Sequence, residues 1–194
     1  MTRLTIDDIL PNADFAAQRQ RMMSHVLQAK KTRTLMLGDA MVFLFENYDT
    51  MRWQVHEMCR VENITKPDGV AHEVLTYGAL VTTPDSLSAT LLIQYDQPEV
   101  RDRRLRELLG LHNHMRLEVE GCATVPVQLD AGQYNDERIS SVQFVRIPVT
   151  ADHRAALADL SKTARLVCDH PHYTTEMALP GTLRAALVAD TAKG

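Results

Sequence analysis

The stretch Ser88-Ala89-Thr90-Leu91-Leu92 has the composition of a β-strand, and Ser141-Val142-Gln143-Phe144-Val145 repeats its pattern later in the chain. A second pair of similar stretches follows, Arg116-Leu117-Glu118-Val119 and Arg165-Leu166-Val167-Cys168. A helix start at Pro98 separates the first stretch of each pair, and a helix start at Ala151 separates the second stretch of each pair. The order of elements therefore occurs twice. This pattern predicts two β-α-β-β units, each about 50 residues long, and suggests an internal duplication.

A helix and a third strand complete each predicted unit. Pro98 and Ala151 begin the two helices, and the third strands are expected at Cys122–Leu129 and Tyr173–Leu179, each in a hairpin. A C-terminal helix should begin near Pro180. Because the strands and helices do not alternate regularly, the α+β class is favoured over a doubly wound parallel sheet.

The N-terminal region, residues 1–86, is predicted to be helical with a short hairpin. The first helix covers Asp14–Lys31, and a second runs from Asn47 or Asp49 to about Glu62. A third helix carries the apolar residues Val70, Val74, Tyr77 and Val81, and the hairpin strands are Arg33–Leu37 and Met41–Phe45 around Gly38-Asp39. We expect residues 1–86 and the mixed α+β region 87–194 to form one compact domain.

Composition excludes several classes of function. The chain has 194 residues with 21 Lys and Arg against 25 Asp and Glu, a formal net charge of −4. A mildly acidic chain has no overall field that attracts nucleic acid, and no apolar run approaches the ~20 residues of a membrane-spanning helix. The three cysteines Cys59, Cys122 and Cys168 are widely spaced, as expected of reduced thiols in a cytoplasmic protein.

A polar stripe on the second helix is the first candidate ligand-binding site. Thr50, Gln54 and Glu57 follow one another at helical spacing, and Glu46 precedes the helix on the same side. A carboxylate beside an amide and a hydroxyl suits a polar ligand or a metal ion. The alternative is structural: Asp49 and Thr50 cap the helix while Glu57 pairs with Arg60.

Histidines at i and i+2 form the second candidate site. His112 and His114 have this spacing, and so do His170 and His172 near the corresponding hairpin. In an extended segment such residues face one way and can share a metal ion, so His112, His114 and His170 are candidate ligands. The alternative is that these residues are ordinary turn residues.

Four arginines crowd the helix that begins at Pro98, namely Arg101, Arg103, Arg104 and Arg106. A solvated helix face explains them, and an anion or an acidic partner is the alternative. Glycine-rich phosphate loops and nucleophile elbows do not occur in the sequence.

The chain also resembles an uncharacterised bacterial family, a domain of unknown function of about this length. The residues that carry the resemblance are Leu4-Thr5, Asp8-Ile9-Leu10-Pro11-Asn12, Phe45-Glu46-Asn47, Asp49-Thr50, Gln54, Glu57, Met58, Arg60, Glu62, Leu87-Ser88-Ala89-Thr90-Leu91, Arg138-Ile139-Ser140-Ser141-Val142-Gln143-Phe144-Val145-Arg146, Asp169-His170-Pro171 and Tyr173. At residues 170–173 the family's His-Pro-Asn-Tyr reads His-Pro-His-Tyr here, which argues against His172 as a ligand.

The resemblance implies a context rather than a reaction. Genes of that family often lie beside genes for rubrerythrin-like di-iron proteins and for iron–sulfur proteins of the heterodisulfide-reductase type. We therefore expect a non-catalytic accessory protein that binds such a partner in an iron-dependent redox or oxidative-stress system. Whether the protein also forms a homo-oligomer is left open. The alternative is a metal-dependent enzyme or iron-binding protein that uses Glu57 and histidines. The cofactor is left open.

A partner-binding protein should expose an apolar patch, and the N-terminal half is where we expect it. This half concentrates adaptable apolar side chains, namely Phe15, Met22, Met23, Met41, Met51 and Met58. The same methionines serve equally well as core residues.

Overall fold

The computed structural model describes residues 3–133 and 136–193, and it confirms the α+β class. The helices of this part are α1 (Asn12–Lys31), α2 (Tyr48–Val61), α3 (Pro67–Gly78), α4 (Pro98–Glu107), α5 (Ala151–Ala158) and α6 (Gly181–Lys193). The strands are β1 (Thr34–Leu37), β2 (Met41–Glu46), β3 (Ser86–Ile93), β4 (Met115–Val119), β5 (Val125–Pro126), β6 (Gln128–Leu129), β7 (Val142–Pro148), β8 (Ala164–His170) and β9 (Tyr173–Ala178). No described helix is both long and apolar enough to span a membrane.

The strands form two antiparallel sheets. The first has the order β1-β2-β3-β7-β6, and the second has the order β5-β4-β8-β9. The predicted β-α-β-β order occurs twice, as β3-α4-β4-β5 and as β7-α5-β8-β9. Each unit contributes its first strand to the first sheet and its other strands to the second sheet, so the two units have equivalent topological positions.

The strand register is also consistent with an approximate two-fold relation between the units. In the second sheet Leu117 pairs with Leu166, and the sequence repeat makes these two positions equivalent. In the first sheet Thr90 pairs with Phe144 and Leu91 pairs with Gln143, so exchanging the units leaves the pairing unchanged. This symmetry supports the duplication that the sequence suggests.

The hairpin expected around Glu120-Gly121 is present, but its second strand is much shorter than the expected Cys122–Leu129. Only Val125 and Pro126 pair with β4, and after Val127 the chain crosses to the first sheet as β6. Pro126 has no N–H to donate, which limits how far a regular ladder can continue. The first unit therefore ends in a strand too short to match β9.

A shared core fills the space between the two sheets. Leu87, Ala89, Leu91 and Ile93 point into it from alternate positions of β3, and Leu117 and Leu166 enter it from the second sheet. The strand β2 is buried on both faces, as its continuous apolar sequence predicts. The N-terminal division at residue 86 stays a prediction, and β2 and β3 are hydrogen-bonded across it.

The helices α2 and α3 pack on the other face of the first sheet. Met51, Val55, Cys59 and Val74 form a second apolar cluster there, and Phe144 of β7 packs against it from the sheet. The third helix ends at Gly78 rather than at Val81, because Val81 turns into the loop that precedes β3 and is buried in this cluster. Glu46, at the end of β2, is buried, and its ladder partner Ser88 is fully buried.

Candidate functional site

Glu46 is a buried carboxylate with one oxygen still available. Its side chain is 4% exposed, and Oε1 accepts a hydrogen bond of 2.7 Å from Thr90 Oγ1. Ser88 lies directly opposite Glu46 on the neighbouring strand, so both side chains point to the same side of the sheet. Among the described residues, neither Glu46 Oε2 nor Ser88 Oγ has a hydrogen-bond partner. Glu46 thus keeps the free acceptor that a ligand-binding role requires.

Thr50 serves the start of α2. Asn47 Oδ1 accepts from Thr50 N at 3.0 Å, and Thr50 Oγ1 accepts from Asn47 N at 2.9 Å, so the two residues form a reciprocal cap. Asn47 Nδ2 also donates to Asp190 Oδ1 in α6 at 3.1 Å. The capping role predicted for Thr50 is therefore present in the structure, whereas the N-cap residue is Asn47 rather than Asp49.

Glu57 is held by two guanidinium groups. Arg19 of α1 binds it with two hydrogen bonds of 2.7 and 3.1 Å, and Arg60 binds it from the same helix at 2.9 and 3.3 Å. The hydrogen bond from Arg19 is the main reason that the pKa of Glu57 is lowered to about 2. Both carboxylate oxygens are occupied, so Glu57 acts here as the anchor between α1 and α2.

The side chain of Gln54 lies beside the hydroxyl of Tyr77 in α3, and this polar contact opposes the rise that burial causes in the pKa of Tyr77. The structure thus gives each candidate residue of the predicted ligand site a different set of partners. Glu46 faces β3, Thr50 caps α2, Gln54 meets α3 and Glu57 meets α1. These contacts do not converge on one shared ligand, and Glu46 is the one with an unused buried oxygen.

His56 fastens the N-terminal segment to α2. Its Nε2 accepts a hydrogen bond from Leu10 N at 3.0 Å, and its Nδ1 lies 2.7 Å from Arg52 O, so the proton sits on Nδ1. The ring stacks on Phe15 with centroids 4.7 Å apart, and burial lowers the pKa of His56. Neutral His56 is therefore a structural acceptor, and it holds the segment that leads into α1.

Two of the three predicted metal-ligating histidines lie together. The rings of His114 and His170 meet edge to face at 5.0 Å, and His114 Nδ1 lies 3.0 Å from Asp169 Oδ1. His170 uses both of its nitrogens, because Nδ1 accepts from His172 N and Nε2 contacts Leu109 O. Burial lowers the pKa of His170, which favours its neutral form.

Of the four ring nitrogens of His114 and His170, Nε2 of His114 is the one for which no described residue is a hydrogen-bond partner. His112 takes part in contacts of its own in the preceding short 3-10 helix, Leu111–Asn113. Within residues 3–133 and 136–193, no group of three His, Cys, Asp or Glu side chains is placed to hold a metal ion. The contact between His114 and His170 comes from strand pairing rather than from the spacing within either histidine pair, and their nitrogens are directed mostly to protein atoms.

An apolar groove lies where the N-terminal segment meets the end of α2 and the start of α3. It encloses about 230 Å³, and its apolar lining residues are Ile6, Ile9, Leu10, Pro11, Cys59, Ile64, Pro67 and Val70. Ile6 is 45% exposed at its edge. The groove depends on the fastening of Leu10 by His56, and Asn12 Nδ2 adds a hydrogen bond of 3.2 Å to Cys59 O.

The apolar residues predicted to form an exposed patch are mostly elsewhere. Phe15, Met41 and Met51 are buried in the core, contrary to that expectation, whereas Met22, Met23 and Met58 are half-buried. The residues of the groove carry no distinctive motif, because they come from three segments whose proximity depends on the packing of α2 and α3. The sequence signal for the groove is limited to the Ile and Val residues of these segments.

Comparison with known proteins supports a family rather than an activity. A structure described as a novel protein of unknown function from Burkholderia pseudomallei K96243 is similar over 98% of this chain and 100% of that one, with a TM-score of 0.90 and 31% sequence identity. No curated protein matches the sequence. The model of the family described as protein of unknown function (DUF3501) matches residues 3–191. The chain therefore belongs to the DUF3501 family.

Proposed function

We propose that this protein is a non-catalytic accessory protein that binds another protein in an iron-dependent redox or oxidative-stress system. The observation that carries the proposal is the apolar groove edged by the exposed Ile6. Apolar side chains that remain exposed around a concave surface favour contact with a partner. Proteins of this kind need a recognition surface rather than a reactive centre.

The size of the groove supports a protein side chain as its occupant. Small-molecule and cofactor pockets usually enclose about 300 to 1,000 Å³, and this groove encloses about 230 Å³. An amphipathic helix inserts single apolar anchors into grooves of this type. The rim offers Asn12 and Thr65 for polar contacts around such an anchor.

The chemistry of the candidate metal ligands also supports a binding role. Glu57 would have to give up two arginine partners before it could hold a metal ion, and His170 would have to give up two backbone partners. The exchange at His170 costs free energy because its hydrogen bonds to Leu109 O and His172 N are partly buried, and the exchange at Glu57 separates the carboxylate from two cations. The class of the partner, a rubrerythrin-like or iron–sulfur protein, follows from the family resemblance and is part of the proposal.

The experiment mixes the purified protein with the rubrerythrin-like or iron–sulfur protein encoded in the same genome, and measures binding by calorimetry. Ile6→Glu places a charge at the edge of the groove, whereas Leu160→Glu places the same charge at another exposed apolar residue, 64% exposed. We expect the wild type and Leu160→Glu to bind alike and Ile6→Glu to bind at least about tenfold more weakly.

Equal binding by Ile6→Glu and the wild type would rule out the groove, and no binding by the wild type would rule out these partners.

Elemental analysis of the same preparation addresses the enzyme alternative. Stoichiometric iron, zinc or manganese that persists through chelator dialysis and is lost in Glu57→Gln would replace the proposal with a metal-dependent function.

A further inference from the structure

The structure separates the four arginines of α4 by what their side chains contact. Arg104 donates to Tyr95 Oη, to Glu107 and to His172 O, and its role is to join α4 to the turn between β8 and β9. Arg106 pairs with Asp102 at 2.9 Å, and Arg103 lies 3.7 Å from Glu107. Arg101 differs from all three, because no described residue forms a hydrogen bond or an ion pair with its guanidinium group.

Arg101 lines a cavity of about 500 Å³ between α4 and the loop that precedes β7. Its polar lining side chains are those of Arg101, Gln133, Arg138, Ser140 and Ser141, and its apolar lining side chains are Leu105 and Ile139. None of the described lining residues carries a carboxylate. The size lies within the range of small-molecule sites.

The polar groups of this lining are mostly hydrogen-bond donors. Ser140 Oγ accepts from Val142 N, so its own proton is free to be donated into the cavity. Gln133 Oε1 already accepts from Phe144 N, which leaves the amide nitrogen of Gln133 as the free end of that side chain. Arg138 adds a second guanidinium, whose charge is partly balanced by Asp102. Such a lining is complementary to an anion.

A buried glutamine holds this lining in place. Gln143, which is fully buried, donates from Nε2 to Gln133 O at 3.0 Å and to Ser140 O at 2.9 Å. Ile139 N donates to Leu105 O of α4, and Ser140 N donates to Gln133 O. Gln133, Ile139 and Ser140 are thus fixed to β7 and α4, and a ligand would not have to order these three residues on binding.

We propose that this cavity binds a small oxyanion, a phosphate or a carboxylate group, with Arg101 as the anchoring charge. A guanidinium pairs with either group through two parallel hydrogen bonds. The hydroxyls of Ser140 and Ser141 supply neutral donors beside it. The site is separate from the apolar groove and does not depend on the proposed partner.

The test titrates the full-length protein with inorganic phosphate and, separately, with succinate, at constant ionic strength, and follows both by heteronuclear NMR. Arg101→Gln removes the anchoring charge, and Arg103→Gln is the matched control, since Arg103 is an exposed arginine of the same helix outside the cavity lining. We expect saturable binding by the wild type and Arg103→Gln, and binding about tenfold weaker in Arg101→Gln. Shifted resonances should include those of Ser140 and Ser141.

Ser141→Ala tests the cavity independently of charge, and a loss of affinity of several-fold is expected there. Saturation by phosphate alone identifies a phosphoryl ligand, and saturation by succinate alone identifies a carboxylate. Equal weakening by Arg101→Gln and Arg103→Gln would show diffuse attraction to the helix and overturn the site. The site would also be overturned if neither phosphate nor succinate gave saturable binding to the wild type.

Discussion

At the scale of single residues, Glu57 shows how a partner distant in sequence changes the role of a carboxylate. Its pairing with Arg60 follows from helical spacing, but its pairing with Arg19 depends on α1 lying across α2. Arg19 also lies over the ring of Trp53, 5.7 Å from its centroid, so the guanidinium has two contacts on α2. The polar stripe of α2 is in this way used to hold a neighbouring helix.

We predict that Glu57→Gln lowers the free energy of unfolding at pH 7 by about 1 kcal/mol, since Arg19 and Arg60 are both more than a third exposed and solvent screens the pairs. The pKa of Glu57 is about 2 in the folded protein, below its ordinary value of 4.5. Its stabilising contribution is therefore full above pH 4.5 and is lost as the pH falls from 4.5 towards 2.

Urea unfolding of both proteins across this pH range measures the difference. The gap between wild type and Glu57→Gln should narrow as the pH falls below 4.5, because protonated Glu57 no longer carries the charge. Glu99→Gln, at an exposed position of α4 without an arginine partner among the described residues, is the control, and its stability at pH 7 should stay within about 0.5 kcal/mol of the wild type. A gap that is constant with pH would contradict the role given to the ion pairs.

At the scale of elements, α6 completes the end of α5 with a buried arginine. The last carbonyl groups of a helix lack partners within the helix, and here Arg184 of α6 supplies them. Its side chain is 4% exposed. The carbonyl oxygens that accept from its guanidinium are those of Ala156, Leu157, Asp159 and Lys162. The C-terminal helix is thus tied to the second β-α-β-β unit by hydrogen bonds as well as by Leu183 and Leu187.

We predict that Arg184→Met lowers the free energy of unfolding by about 3 kcal/mol. The substitution keeps the apolar length of the side chain but leaves several buried carbonyl groups without a donor, and each costs about 1 to 3 kcal/mol before relaxation and water offset part of the loss. Unfolding in guanidinium chloride, followed by circular dichroism, measures this loss of stability. Arg103→Met, at an exposed position of α4, should stay within about 0.5 kcal/mol of the wild type; similar stabilities of the two variants would refute the capping role.

At the scale of the whole molecule, Tyr173 joins the two sheets. Its hydroxyl, at the start of β9, donates to Leu37 O at 2.8 Å and accepts from Ala40 N at 3.0 Å in the turn between β1 and β2. Gly38 of that turn has φ of 71°, and a side chain there would place its Cβ 2.4 Å from Tyr173 Oη. Glycine is therefore required both by the backbone and by the approach of the second sheet.

We predict that Tyr173→Phe lowers the free energy of unfolding by about 1 to 3 kcal/mol, because two buried backbone groups lose their partner. It should also speed hydrogen exchange at the amide of Ala40, which NMR measures directly. Tyr77→Phe, at a half-buried hydroxyl that meets the side chain of Gln54, is the matched control and should cost less. Unchanged protection of Ala40 in Tyr173→Phe would contradict the link between the sheets.

Local sequence determined the elements of this protein and much of their order. Alternation along residues 86–93 and the continuous apolar run at residues 41–45 specify which strand faces are buried, and the repeated pattern around Leu117 and Leu166 predicted two equivalent units. These features follow from periods of two and about 3.6 residues, which neighbouring positions encode. The strand expected over Cys122–Leu129 pairs with β4 only at Val125 and Pro126, because Pro126 has no N–H to continue the ladder and the chain after Val127 joins the other sheet.

Only the tertiary structure decided which side chains meet. Glu46, Thr50, Gln54 and Glu57 follow one stripe in sequence, yet they contact four different parts of the molecule. The donor-lined cavity at Arg101 and the groove at Ile6 each combine segments whose proximity depends on helix and sheet packing. Periodicity assigns a residue to a face of its own element, whereas its partners depend on how distant elements pack, and the core contacts that fix this packing are spread over the whole chain.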